Sequence, residues 1–334
     1  MKWLIAVLGL AGLALATGLI VWQGAGAVGS AVLAAGWGLA IVIAVEILPL
    51  GIDALAWRTL IPAAVRPGVG VALWARWIRQ SVGQLLPVAQ VGGDVVGARM
   101  LYLRGVPGEV AGGATVVDLT LGAATQLVYA LTGLALLWAR PGGDGVAAGV
   151  LIGGGVLVLG LAGFVIAQRN GLFRFLARRL HAVSGGLLAL VGSAERLDHA
   201  VRAVYARPWD LARNAALQLL SWTTGTLEVW LALRFIGHPV GLVEAYILQS
   251  LTRMVRSAAF PVPGGLGVQE AGLMVLAGLL GLNPEIGLAL SLIKRVRELV
   301  LGVPGLIAWQ AAEGNHLLRR RRRLAAEAPE QGAS

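Results

Sequence analysis

Residues 3–22, WLIAVLGLAGLALATGLIVW, carry no charged group, and about 20 helical residues are enough to cross the hydrocarbon core of a bilayer. Apolar stretches of this kind recur at about 27–61, 109–138, 146–167, 211–236 and 285–309. In lipid every backbone N–H and C=O must be satisfied within the protein, and an α-helix does so within its own segment. The recurrence therefore predicts an all-α polytopic membrane protein. Composition agrees: 57% of the 334 residues are hydrophobic and 13% charged, with mean hydropathy +0.78, against about 25% charged in a soluble domain. Ala25-Gly26-Ala27 resembles a signal-peptide cleavage site, but the apolar core before it exceeds the roughly 7–15 residues of a signal sequence. It reads as a retained span.

Two stretches, 69–105 and 240–282, are apolar on average but interrupted at their centres. Pro87 breaks the first; Pro261, Pro263, Gly264, Gly265 and Gly267 break the second. Proline removes a backbone donor and clashes with the carbonyl four residues before it, and a Gly-Gly pair permits the turn that follows. Cytoplasmic loops carry an excess of Lys and Arg. That rule assigns Arg58, Arg66, Arg76, Arg79, the basic segment 169–213 and the run Arg319–Arg323 to the cytoplasm. The nearly uncharged QGAGAVGS and RPGGDG loops go outside. About six full spans satisfy these loops with both termini cytoplasmic. Each broken stretch must then return to the side it left, giving two opposed re-entrant helical hairpins.

The segment 168–208 mixes basic residues with Leu and Val. It reads either as an amphipathic helix on the cytoplasmic surface or as a plain helical linker. The chain thus divides into one transmembrane domain, 1–318, and an Arg-rich cytoplasmic tail, 319–334. The net charge of +10 raises the question of nucleic acid. Basic runs beside membrane spans instead serve topology and anionic lipid, so no nucleic-acid partner is expected.

Sliding the chain against itself by 176 residues aligns several rare residue types. Pro87 falls on Pro263, Asp94 on Glu270, Gly105 on Gly281, Glu109 on Glu285, Arg58 on Arg234, and Asp118 on Lys294. The repeat halves would be about 27–140 and 209–311. Their opposite orientations match the inverted-repeat plan of many transporters, with broken helices meeting near the midplane.

Ionisable groups inside a membrane are costly and mark function unless they are paired. The acids in question are Glu46, Asp94, Asp118, Glu228, Glu270 and Glu298; the cations are Arg253, Arg256, Lys294, Arg295 and Arg297. Lys294, Arg297 and Glu298 share a helix face by their spacing. Guanidinium forks beside a helix start suit a phosphate. The competing reading is that the charges merely pair or reach an interface. Glu46 and Glu228 are expected to pair structurally with an arginine such as Arg58 or Arg234. Glu270 is expected to face a cavity beside Arg253, Arg256 and Lys294, with Asp94 doing the same work from the first hairpin.

Catalytic signatures are thin. No cysteine is present, and His181, His199, His238 and His316 have no metal-ligand spacing. GxSxG, P-loop, HxxxxD and Asp-rich prenyl-diphosphate motifs are absent. The expectation is a protein without cofactor or metal that is not an enzyme.

The segment PVPGGLGVQEAGL resembles the hallmark of the lysylphosphatidylglycerol synthase transmembrane-region, or flippase-like domain, family. LLPVAQVGGDVVGARML and SLIKRVRELVLGVPGLIAWQ resemble more narrowly its hopanoid-biosynthesis-associated subgroup, the HpnL group. The likeness is dense over about 250–313 and clear over about 81–118. It implies a multi-pass protein of the bacterial inner membrane that moves a hopanoid or another lipid, such as an anionic phospholipid, between leaflets. Homo-oligomers or lipid-biosynthesis enzymes are the implied partners. Aminoacyl transfer is not implied, because only about 25 mostly polar residues follow Trp309. Two other classes stay open: a non-transporting partner of lipid-synthesis enzymes, and an intramembrane enzyme acting on a lipid.

Overall fold

The computed structural model describes residues 36–86, 91–140, 194–258 and 268–327, with isolated positions between 163 and 170. Pro87, Pro261, Pro263, Gly264, Gly265 and Gly267 lie outside the described residues, as do the segment 3–22 and nearly all of 146–167. The described residues are helical, with turns between helices and no strand.

Helices α1 (Trp37–Val45) and α2 (Ile47–Thr59) follow one another across a joint at Glu46. Pro49 lies in the first turn of α2. Its ring excludes the carbonyl of residue 45 from the helical ladder, which accounts for the joint. Helices α3 (Val69–Leu85) and α4 (Val91–Tyr102) pack together as a hairpin and lead into the long α5 (Gly108–Trp138). After α6 (Ala194–Tyr205) come α7 (Pro208–Thr224) and α8 (Thr226–Phe235), jointed at Gly225. Helices α9 (Leu242–Ala258) and α10 (Val268–Leu279) form a second packed pair, and α11 (Pro284–Glu327) closes the chain.

Lengths sort these elements. By length and composition, Trp37–Thr59 and Gly108–Trp138 qualify as spans among the described residues. The hairpin helices are 17 and 12 residues long in both pairs, or about 26 and 18 Å, short of the roughly 30 Å hydrocarbon core. At 44 residues, α11 is about 66 Å long and projects well beyond any bilayer.

Local details recur along the chain. Gly105 and Gly281, 176 positions apart, both adopt positive φ, 95° and 76°. At the first, Val106 N–H bonds Leu101 O at 3.2 Å; at the second, Leu282 N–H bonds Ala277 O at 2.9 Å. Both are the same left-handed helix stop, which favours glycine. Helix pairings mirror each other as well: α2 packs on α7 and α1 on α8, while α3 seats on α11 and α9 on α5. Each hairpin thus lies against the long helix of the other half.

Two apolar clusters flank the middle. One gathers Trp57, Ile78, Met100, Leu101 and Val117 with Leu197 and Val201 of α6. The other gathers Val42, Leu233, Leu248, Leu273 and Ile293.

Two expectations need correction. The last helix does not stop near Trp309 but continues through the Arg run, whose Arg, Leu, Ala and Glu residues are good helix formers. Helix α6 is amphipathic, yet Leu197, Val201 and Val204 bury their face against protein rather than lying on the membrane surface. Ala200 meets α5 at Gly113, where a Cβ would lie 2.8 Å from the alanine methyl.

Candidate functional site

A cavity of about 880 Å³ is lined from α2, α3, α4, α5, α7, α9, α10 and α11, with Glu46 at the α1–α2 joint. Its walls carry charge to a degree unusual for so apolar a chain. Asp94, Asp118, Arg253, Arg256, Lys294, Arg297 and Glu298 all line it, together with Glu46, Asp53, Arg76 and Arg79.

One cluster centres on Arg79, whose side chain is 6% exposed. Its Nε donates to Asp94 Oδ1 and its Nη1 to Asp118 Oδ2, both at 2.6 Å. Arg76 Nη2 donates to Asp53 Oδ2 at 2.7 Å and lies 3.6 Å from Asp118. Asn214 and Gln218 of α7 donate to Asp118 Oδ1 at 3.0 and 3.1 Å. Glycine makes the approach possible. A Cβ on Gly97 would stand 2.9 Å from Arg79 Cβ, and one on Gly93 would stand 2.5 Å from the Arg79 carbonyl. The guanidinium also lies 5.0 Å over the Trp57 ring.

The second cluster is strung along one face of α11. Arg297 Nη1 reaches Glu46 at 2.7 Å and Glu228 at 3.1 Å. Lys294 Nζ donates to Gln249 at 2.6 Å and to Glu228 at 3.2 Å. Glu298 takes Arg295 at 3.0 Å and pairs with Arg256, whose Nη1 also donates to Gln269 at 3.1 Å. Charge partners and hydrogen bonds offset part of the cost of burying such groups, while Glu46 Oε2 and Glu228 Oε1 are enclosed without a hydrogen-bond partner.

Arg253 stands apart. Among the described residues no acid lies within ion-pair distance of it, and its Nε is enclosed without a hydrogen-bond partner. Its guanidinium lies 4.9 Å over the ring of Trp222, and Gln126 donates to its backbone carbonyl at 3.3 Å.

Several sequence expectations shift here. Glu46 and Glu228 pair with Arg297 and Lys294 on α11, not with Arg58 and Arg234. Arg58 is held by Pro67 O at 2.8 Å, and Arg234 lies 5.7 Å over Trp230. Glu270 does not line the cavity; Gln269 does. Glu270 Oε1 instead accepts from Arg295 Nε at 3.2 Å, and Arg295 is likewise outside the lining. Arg76 and Arg79, read as cytoplasmic loop charges, are part of the cavity wall. A signal for them existed. Arg76 and Arg79 are one helical turn apart, as are Arg253 and Arg256, and the two pairs lie one residue out of the 176-residue register. Among the described residues, no group of three or more His, Asp or Glu side chains is placed to hold a metal ion.

The model of one protein family, described as the Lysylphosphatidylglycerol synthase TM region, matches residues 9–305. No curated protein and no solved structure matches the chain.

Proposed function

The chain belongs to the lysylphosphatidylglycerol synthase TM-region family, and from that premise we propose that it moves a lipid between the leaflets of the membrane it spans. The family ties the chain to the membrane and to lipid handling. The observation that carries the finer reading is the charged cavity of about 880 Å³ between two halves that pack in mirrored fashion. A polar head group needs a hydrated, charged path while its chains stay in lipid, and irregular backbone at membrane depth is tolerated where it lines such a cavity.

We read the halves as an inverted repeat with α3–α4 and α9–α10 as opposed re-entrant hairpins. The coincident helix stops at Gly105 and Gly281 and the equal hairpin lengths support this. On the same reading the chain has about six spans and both termini in the cytoplasm of a bacterium, within the inner membrane. It belongs with the hopanoid-biosynthesis-associated subgroup and carries a hopanoid or another lipid, such as a phospholipid, without chemical change.

Purified protein in liposomes tests this. Exchange of fluorescently tagged lipid between leaflets, measured by a quencher confined to the outside, is the expected result. A chemically altered lipid in place of exchange would identify an intramembrane enzyme. Neither exchange nor product, with folded protein in the vesicles, would point to a non-transporting partner of lipid synthesis.

A further inference from the structure

The two charged clusters do not balance alike. Around Arg79, three carboxylates (Asp53, Asp94 and Asp118) face two guanidiniums. Along α11, the four acids described above are matched by Arg256, Lys294, Arg295 and Arg297, which leaves Arg253 over. One side of the cavity therefore carries a surplus negative charge and the other a surplus positive charge.

A shift of 177 residues, one more than for the other matched positions, places Arg76 on Arg253 and its acid partner Asp53 on Trp230. The counterpart of Asp118 is Lys294, an inversion of sign. Asp53 and Asp94 each use one carboxylate oxygen on an arginine. Among the described residues, their other oxygens take no hydrogen bond and are not enclosed. Their side chains are 19% and 15% exposed, and both line the cavity.

We propose that the cavity takes a zwitterionic, net-neutral phospholipid head group, with its phosphate on Arg253 and its ammonium between Asp53 and Asp94. This rests on reading the cavity as the lipid path. A guanidinium stacked on an indole and short of an acid is suited to a phosphate, and free carboxylate oxygens accept from an ammonium. A purely anionic head group would satisfy Arg253 and leave the opposite surplus uncovered, while a purely cationic one would do the reverse. With charge interactions far stronger here than in water, the matched pair of surpluses selects against both. The volume lies within the range of about 300–1,000 Å³ usual for small-ligand sites.

Calorimetric titration of the purified full chain with short-chain phosphatidylethanolamine, phosphatidylglycerol and a phosphate-free cationic lipid tests the assignment. The expected order is phosphatidylethanolamine tighter than either of the others by about tenfold or more, the effect of one charge-assisted bond. Arg253→Gln weakens the two phosphate-bearing lipids alike. Asp53→Asn with Asp94→Asn brings phosphatidylethanolamine down to the level of phosphatidylglycerol. Thermal melting checks that each variant is folded, and the three-lipid order in the unaltered chain decides the matter if one is not. Phosphatidylglycerol binding as tightly as phosphatidylethanolamine, or a preference that survives both aspartate changes, overturns the proposal. Leaflet exchange indifferent to head group does so too, yet leaves lipid movement standing. The expected binding order with no exchange of any lipid overturns lipid movement alone.

Discussion

Arg297 holds Glu46 at the α1–α2 joint and Glu228 in the first turn of α8 at once, so one guanidinium fastens both jointed segments to α11. Glu270 is differently placed, one residue behind the cavity wall, on an arginine that keeps Glu298 as a second acid. Removing one member of a buried pair costs about 3–5 kcal/mol when the other is left alone. Arg297→Gln should therefore destabilise by about that much, since it deprives two acids of a cation. Glu270→Gln should cost about 1–3 kcal/mol and leave lipid exchange intact. Denaturation in detergent alongside the liposome assay checks both. A folded Glu270→Gln protein with no exchange would return Glu270 to the transport path. Several charged groups of the cavity wall, Asp94, Asp118, Arg253, Arg256, Lys294, Arg297 and Glu298, were legible in the sequence because so few charges interrupt the apolar stretches, while Asp53, Arg76 and Arg79 were not. Which partners the charged groups take was not legible, since Arg297 and Glu46 meet only through tertiary packing, and arginines next to spans read as topology signals.

At the scale of elements, the two pairs of short helices were legible and the breaks at Glu46 and Gly225 were not. Proline and glycine punctuate 69–105 and 240–282 so heavily that short paired helices follow from local chemistry alone. Pro49 and Gly225 sit inside otherwise helical patterns, where a first-turn proline or single glycine is tolerated, so the helix breaks beside them carry no sequence signal of their own. Within the first hairpin, glycine at 97 lets the Arg79 side chain lie across α4. Gly97→Val would push that side chain off Asp94 and Asp118, leaving a buried charge without its partners. The expected loss is about 3–5 kcal/mol, well above the cost of a helical glycine-to-valine change itself. Comparing melting of Gly97→Val with that of Gly70→Val, where nothing lies near an added Cβ, separates the two causes. Equal melting would mean that Arg79 is not positioned by this contact.

Across the whole molecule, each hairpin rests on the long helix of the opposite half. The seat of α3 on α11 is fixed by Trp77 Nε1, which donates to Leu301 O at 2.8 Å across 224 residues of sequence. It lies beside Val300, whose carbonyl lacks its helical donor because Pro304 has no N–H. Close approach continues at Gly302 and Gly305, which meet Leu85 and Ser81. This arrangement bears on how the protein is made. A ribosome adding about 5–20 residues per second releases α3 on the order of 10–45 seconds before its seat exists. Throughout that interval Arg76 and Arg79 have α11 neither beside them nor behind them. The first half is thus an unfinished client of the insertion machinery and of membrane proteases until the second arrives. Cutting the gene between residues 170 and 194 should yield two fragments that accumulate when made together and are degraded when either is made alone, as immunoblotting of membranes would show. A first half that persists by itself would mean that the hairpin finds a resting place without its seat. Otherwise the chain commits to its shape only when its last helix is inserted, and a truncation near the end is lost as completely as one near the middle.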